Sequence, residues 1–217
     1  MIAEIRSGGA FFDCQSSARW SPFSLSKTTC DTLYPNDDLK YINATSIVLF
    51  LRYGSNSILF PGDMPPEALE ALLDEEQGSE KRYTKFDREF STSSDWHATT
   101  GNQPSLRSLL GSYGLSILVA PHHGLESCYS PYLFECMKNG KPRLVVISEK
   151  RHRTPQDGKV DSRYQSKDGA TGLDVEINGT TERRFSVSTR NNHHILIEFV
   201  GTGRPRVYAS TDPTRLV

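Results

Sequence analysis

The chain has 217 residues, 36% of them hydrophobic, with a formal net charge of −1 and a pI near 6.6. This composition can build a sizeable core, and it excludes a global positive field that would recruit nucleic acid or an anionic membrane. No signal-peptide pattern opens the chain, and no run of about 18 apolar residues occurs in it. We therefore expect one cytoplasmic domain with insertions and without a membrane segment.

The first third of the chain predicts an irregular segment followed by a hairpin and a helix. Residues 8–42 are rich in Ser, Thr, Asp and Gly and show no sustained period of 2 or 3.6, so an irregular entry segment is expected over residues 1–42. The runs SIVLFLRYG (46–54) and NSILFPGD (56–63) predict two strands joined by a turn at Gly54, the first of them buried on both faces. The leucine spacing in EALEALLDEE, after two prolines, predicts a helix.

The rest of the chain alternates strands and helices around two polar insertions, 77–104 and 149–181. Between the insertions we predict a helix in SLRSLLGSYG, a strand in SILVAPHHG (116–124), a helix in SPYLFECMKNG and a buried strand in PRLVVISEK (142–150). The final runs RRFSVSTR, HHILIEFV and RPRVYAS are typical of a closing antiparallel β-meander. The predicted fold class is α/β with a mixed sheet.

Four cysteines, Cys14, Cys30, Cys128 and Cys136, show no C-x-x-C spacing. A chain of this length needs no disulfide to fold, so we expect free thiols in a reducing compartment. Cys128 and Cys136 stand close in sequence to a pair of histidines, but their spacing is not that of a zinc finger.

Two of the predicted strands end in residues that bind metals. One stops at Asp63, and the other stops at the pair His122 and His123. In open α/β sheets reactive groups gather at the carboxyl ends of strands, and a carboxylate with imidazoles suits zinc, manganese or iron. A bridging carboxylate can also hold two ions about 3.5–4 Å apart. The alternative is structural: Asp63 caps the next helix and the histidines only end a strand.

The order of these motifs resembles the metallo-β-lactamase fold. Asn43 and Ser46 before VLFLRYG, then LFPGD, a helix, VAPHHG and VVIS (145–148) are similar to the C-terminal half of that fold, above all to ComEC-like hydrolase domains. The likeness covers residues 43–150 well and residues 183–208 loosely. It implies an αββα sandwich and a hydrolase that uses zinc or manganese, with two ions in a full site.

The resemblance also implies roles for the motif residues. In the family the GD aspartate bridges both ions, and a histidine of the HHG segment completes the second site. Asp63 is thus implied as the bridging ligand, and His123 or His122 as the terminal ligand. His123 is favoured because the ligand histidine of the wider fold tends to precede glycine directly. His122 would then support the ligands or touch a scissile phosphate.

The chain departs from the family in the first half of the domain. The family's main ligand cluster, H-x-H-x-D-H, is missing, because no two of the six histidines show H-x-H spacing, and Leu125 stands where the family often has serine. Residues 43–217 are therefore expected to form a C-terminal half-domain. Two remaining ligands hold a metal weakly, so the missing ones must come from a second chain, from His97, or from His193 and His194.

Basic residues flank the strand that follows the HHG segment. Lys150, Arg151 and Arg153 come directly after it and are the candidate contacts to a substrate phosphate. They favour a phosphodiester substrate such as nucleic acid, and the alternative is an ordinary solvated face. Further basic residues around this strand or later in the chain are Lys141, Arg143, His152, Arg183, Arg184 and Arg190.

Three hypotheses remain open from the sequence. The leading one is a metal-dependent hydrolase component that needs a partner chain carrying the N-terminal half. The second is an inactive half-domain that works as a binding or assembly module, since half a sandwich uncovers apolar surface and demands a partner or a second copy. In the third, residues 1–42 rebuild the missing strands and the domain is compact by itself.

Overall fold

A computed structural model of the protein describes residues 2–6, 9–13, 19–75, 104–149, 158–192 and 194–216. The strands in these ranges are β1 (Ile2–Arg6), β2 (Gly9–Asp13), β3 (Arg19–Phe23), β4 (Val48–Tyr53), β5 (Asn56–Phe60), β6 (Ile117–Val119), β7 (Leu144–Ile147), β8 (Leu173–Ile177), β9 (Thr180–Arg184), β10 (Ser186–Ser188), β11 (His194–Glu198) and β12 (Arg206–Ser210). The α-helices are α1 (Lys27–Leu33), α2 (Asp38–Ala44), α3 (Pro66–Asp74), α4 (Leu106–Tyr113), α5 (Pro131–Glu135) and α6 (Thr189–Asn192).

The strands form two six-stranded sheets. Sheet A has the order β2-β1-β11-β12-β8-β9, and sheet B has the order β10-β7-β6-β5-β4-β3. In sheet B, β10, β7, β6 and β5 run parallel, and β4 and β3 are added antiparallel beyond β5. The predicted hairpin is confirmed: Gly54 and Ser55 join β4 to β5, and Gly54 takes the positive φ of 59° that a tight turn favours.

Sheet B is buried on both faces, as its apolar strands predict. Successive residues of a strand point to opposite sides, so Ile58 faces sheet A while Leu59 faces the helices. The same division separates Ile117 from Leu118 on β6. Helices α1 to α5 supply the apolar residues that cover the second face. The predicted helices around these strands are confirmed as α3, α4 and α5.

Sheet A covers the remaining face of sheet B through a shared core. Val175, Ile195 and Ile197 lie in this core and are almost completely buried. On the opposite face of β8, Asp174 and Glu176 are exposed. The described architecture is thus an α/β sandwich with mixed sheets, whereas the finer αββα arrangement remains a prediction. None of the helices in the described ranges has the length and apolarity that a membrane span requires.

The prediction of an irregular segment over 1–42 is wrong for the residues that the structure describes. β1 and β2 form one edge of sheet A, β3 forms an edge of sheet B, and α1 and α2 follow. Two of the polar residues that suggested loops are helix caps: Ser26 accepts the Thr29 amide, and Asp37 accepts the Lys40 amide. The three strands have only five residues each, and β1 and β3 pair with later strands while β2 pairs with β1, so local periods give little sign of them.

The predicted closing meander is wrong in part. RRFSVSTR divides between the sheets, since β9 ends at Arg184 in sheet A and β10 begins at Ser186 in sheet B. β11 and β12 are antiparallel neighbours, as predicted, but β12 then pairs in parallel with β8. The predicted insertion 149–181 therefore contributes a strand to sheet A. The other predicted insertion, 77–104, lies almost wholly outside the described residues.

The core shared by the two sheets predicts a large effect of truncation at Ile58. Ile58→Ala should lower the free energy of unfolding by about 2–5 kcal/mol, because the side chain is completely buried and its removal leaves a cavity. Urea denaturation measures this loss. Ile47→Ala is the matched control, since Ile47 is 67% exposed and its truncation should change stability by less than about 0.5 kcal/mol. Equal losses in both variants would contradict the described layers.

Candidate metal centre

The loops after four parallel strands of sheet B meet at one edge, which we name the carboxyl edge. Parallel neighbours end at the same edge of a sheet, so pairing brings together residues from segments that are distant in sequence. The strands concerned are β5, β6, β7 and β10. The residues of interest that come within four positions after the ends of these strands are Asp63, His122, His123, Ser148, Glu149 and Thr189.

A backbone hydrogen bond joins the turn after β5 to the turn after β6. The amide of His122 donates to the carbonyl of Gly62 over 2.9 Å, directly before Asp63. Gly62 has a φ of 67°, and a Cβ there would lie 2.9 Å from the Ser46 Cβ, so the turn requires glycine. Asp63 does not cap α3, because the cap residue is Pro65 and no side chain accepts a bond there. The capping alternative for Asp63 is therefore wrong.

The HHG turn has a strained backbone. His122 and His123 have φ values of 43° and 60°, and Gly124 follows at 75°. Left-handed backbone costs a residue with a Cβ about 1–2 kcal/mol, so two consecutive histidines in this region store strain. Strain of this kind persists where the surrounding structure holds it, and it clusters at binding sites. An ordinary strand end would not need it.

The ring of His123 is held with a defined tautomer. Its Nδ1 lies 2.5 Å from the carbonyl oxygen of Ser148, and a carbonyl only accepts, so Nδ1 carries the proton of this bond. In the neutral ring Nε2 is then a lone-pair donor, and it lies 3.8 Å from Oδ1 of Asp63. Two electron-pair donors that face each other favour a cation between them. This is the usual arrangement of a metal-binding histidine, whose other nitrogen donates to a carbonyl.

His122 is turned to a different neighbour. Its Nδ1 lies 3.4 Å from Sγ of the buried Cys128. Burial raises the pKa of the Cys128 thiol, and the carboxylates of Asp63 and Glu67 raise it further, against a lowering bond from the adjacent hydroxyl. The thiol therefore stays protonated at neutral pH and can donate to His122. Asp63 and His123 therefore face each other, whereas the imidazole of His122 contacts the Cys128 thiol.

The ligand set is incomplete in the part of the chain that the structure describes. No group of three or more His, Cys, Asp or Glu residues there is placed to hold a metal ion. Of the proposed replacements, His97 and His193 lie outside the described residues. His194 is on β11 in sheet A, where its Nδ1 is buried. The sequence-based expectation that two retained ligands need help from elsewhere is unchanged by this geometry.

The three candidate phosphate contacts, Lys150, Arg151 and Arg153, lie outside the described residues. So does His152. Among the basic residues that are described, the guanidinium groups of three pair with carboxylates: Arg183 with Asp174, Arg184 with Glu182, and Arg190 with Glu149. Arg183 and Arg184 belong to the edge strand β9 of sheet A. The solvated-face alternative is therefore favoured for those two residues.

Sequence reasoning missed the residues that support His123. Ser148 ends the VVIS segment, and Thr189 lies near the end of the run RRFSVSTR, within the range 183–208 that resembles the family only loosely. Thr189 comes to the site because β10 pairs with β7. That pairing joins segments about forty residues apart, so no local pattern announces it. The signal that was present is a hydroxyl residue directly after each of the two short strands, Ser148 after β7 and Thr189 after β10.

The strained turn predicts an inverted order of stability for glycine and alanine. His123→Gly should be more stable than His123→Ala by about 1 kcal/mol, because both lose the imidazole and only glycine relieves the φ of 60°. At Gly111 inside α4 the order should be the usual one. Alanine is favoured there by about 1 kcal/mol, since its Cβ would meet only the Cys136 carbonyl at 3.9 Å. Denaturant unfolding measures the free energy of unfolding of the glycine and alanine forms at both positions. A less stable glycine form at both positions would contradict the strain at His123.

Comparisons with protein-family models, with curated proteins and with solved structures find no match to this chain. The likeness to metallo-β-lactamase hydrolases therefore remains a prediction from the sequence motifs. The geometry itself consists of a carboxylate and an imidazole that face each other at the carboxyl edge of an α/β sandwich.

Proposed function

We propose that this protein is a component of a metal-dependent hydrolase of the metallo-β-lactamase type, with a phosphodiester as its substrate. The observation that carries the proposal is the setting of His123. Its Nδ1–H donates to Ser148, which leaves Nε2 as a lone-pair donor 3.8 Å from the carboxylate of Asp63. Both side chains are about half exposed, at 50% and 47%, so an ion from solvent can reach them.

The chemistry of this pair suits zinc or manganese. Bonds from zinc to a histidine nitrogen and to a carboxylate oxygen are each about 2 Å long, so one ion can span a separation of 3.8 Å. A zinc site takes about four ligands, three of them from protein when it is catalytic. At least one further ligand is needed. We assign it to a second chain with the N-terminal half, to a second copy, or to residues outside the described ranges.

A bound zinc or manganese ion would supply Lewis-acid activation of water and of a phosphate oxygen. The residues of this chain have separate tasks. Asp63 and His123 hold the ion and set its place at the carboxyl edge. His122 presents an imidazole beside them and is placed to stabilise negative charge on the phosphate. Cys128 orients that imidazole through Nδ1.

The proposed substrate class follows from basic residues in the sequence. Lys150, Arg151 and Arg153 come directly after Glu149 in the chain, next to the segment that supports His123. Cations in such positions contact phosphate without reading a base sequence. A phosphodiester, in nucleic acid or a smaller molecule, fits these features.

A second candidate function is a binding or assembly module. Leu39 and Ile42 on α2 are 70% and 64% exposed, and Ile47 just after α2 is 67% exposed. Side chains three residues apart share one face of a helix, so Leu39 and Ile42 form an apolar patch that favours contact with another protein. The mass of the protein in solution separates the two candidates, because a monomer that binds metal argues against assembly as the main role.

Metal content tests the proposed function. Purified protein equilibrated with zinc or manganese and then desalted is analysed by mass spectrometry, and bound metal is expected in the wild-type protein. Asp63→Ala should weaken binding by more than about tenfold, since it removes one of the few ligands. Asp168→Ala, at an exposed carboxylate away from the carboxyl edge, should leave metal content unchanged.

Two outcomes would contradict the metal assignment. One is equal metal content in the wild-type protein and in Asp63→Ala, which would place the ion elsewhere. The other is no bound metal in a protein whose solution mass shows that it is already a complex. Bound metal in the expected pattern directs substrate screening to phosphodiesters and single-stranded DNA.

A further inference from the structure

We propose that Thr189 is a positioning residue for His123. Its hydroxyl fixes the peptide unit between Ser148 and Glu149, and that peptide unit aims the Ser148 carbonyl at the imidazole. Thr189 thereby selects the Nδ1–H tautomer of His123 and keeps Nε2 directed at Asp63. The inference rests on the proposed function only where it assigns the Nε2 lone pair to metal binding. The role of Thr189 in orienting His123 does not depend on that function.

The Thr189 hydroxyl clamps the backbone of Glu149 from both sides. The Glu149 amide donates to Thr189 Oγ1 over 2.9 Å, and the same hydroxyl donates to the Glu149 carbonyl over 2.9 Å. Thr189 is 2% exposed, so water does not compete well for these bonds. One hydroxyl therefore uses both its donor and its acceptor capacity on a single residue.

The planar peptide transmits this clamp to the next bond. The Ser148 carbonyl and the Glu149 amide belong to one peptide unit, and in the trans form they point in opposite directions. No cis peptide occurs in the described residues. With the amide held on Thr189, the carbonyl must point the other way, where His123 Nδ1 lies 2.5 Å from it. Rotation of this peptide unit would break both bonds together.

The neighbours of Thr189 hold the clamp in place. Ser188 Oγ donates to the buried carboxylate of Glu149 over 2.7 Å, and the Arg190 guanidinium lies 3.7 Å from the other oxygen. The Arg190 amide donates to Ser188 Oγ over 3.0 Å. Strand pairing aligns Ser188 with Ile147, just ahead of the clamped peptide. Three consecutive residues, Ser188 to Arg190, thus all contact Glu149, the residue that follows Ser148.

The tautomer decides what His123 can do. With the proton on Nδ1, Nε2 offers a lone pair to a cation beside Asp63. With the proton on Nε2, the ring would instead donate a hydrogen bond towards Asp63 and offer nothing to a cation on that side. Loss of the Thr189 hydroxyl frees the peptide unit to rotate, and so removes the acceptor that holds the proton on Nδ1.

The test is the nitrogen-15 NMR spectrum of the histidine rings in metal-free protein at about pH 8.5. Side-chain shifts distinguish the two tautomers, and the His123 signals are identified by their loss in His123→Gln. The wild-type ring should be in the Nδ1–H form. Thr189→Val, which keeps the shape and removes the hydroxyl, should shift His123 towards Nε2–H, while Thr189→Ser should restore the wild-type pattern. Thr181→Val, on the exposed strand β9, should change nothing.

Nε2–H in the wild-type protein, or an unchanged Nδ1–H tautomer in Thr189→Val, would overturn the proposal. Thr189→Ala, which adds no bulk, provides the same comparison if valine disturbs the fold. Zinc affinity should fall about 10–100-fold in Thr189→Val and recover in Thr189→Ser. If the tautomer shifts as expected while the wild-type protein and both Thr189 variants fail to bind zinc, the positioning role stands and the proposed hydrolase function fails. Equal zinc affinity in all three proteins, with metal bound at Asp63, would overturn the positioning role.

Discussion

The parallel run of β5, β6, β7 and β10 is the constraint on which the candidate site depends. Each central strand of this run is apolar on both faces, because one face packs against sheet A and the other against the helices. Both sets of side chains are packed in dense cores, so a shift of one residue would bring side chains of the wrong shape into each core, and this packing holds the register. The core thus fixes the strand ends that carry Asp63, His123, Ser148 and Thr189, and hydrogen bonds between the loops then set their geometry.

That rigidity explains how a costly arrangement persists at the carboxyl edge. The left-handed backbone of His123 opposes folding. Three hydrogen bonds to residues outside the turn hold it. The His122 amide donates to the Gly62 carbonyl, and the Asp161 amide donates to the Gly124 carbonyl. The third runs from His123 Nδ1 to the Ser148 carbonyl. A local cost that the surrounding structure maintains is typical of binding sites, and here it leaves an electron pair facing a carboxylate.

The N-terminal strands show that the extent of the sheets and the completeness of the metal site are separate questions. β1 and β2 belong to sheet A and β3 belongs to sheet B, so residues before 43 contribute strands to the described sandwich. The uncovered core edge expected of a half-domain is therefore no longer the main argument for a partner. The ligand set is a different matter, because these strands bring no third ligand to Asp63 and His123 within the described residues. A closed core and a complete metal site are independent properties of this chain.

By itself the sequence determined the local elements and the ends of the strands. The hairpin at Gly54, the helix α3 and the positions of Asp63 and His123 after apolar runs follow from turn residues and from periods of 2 and 3.6, which are local signals. Only the tertiary structure decided that β1, β2 and β3 join the sheets, that β10 lies beside β7, and that Thr189 reaches the peptide behind His123. The pairing of such short strands depends on contacts between segments that are distant in sequence, which local periods do not report.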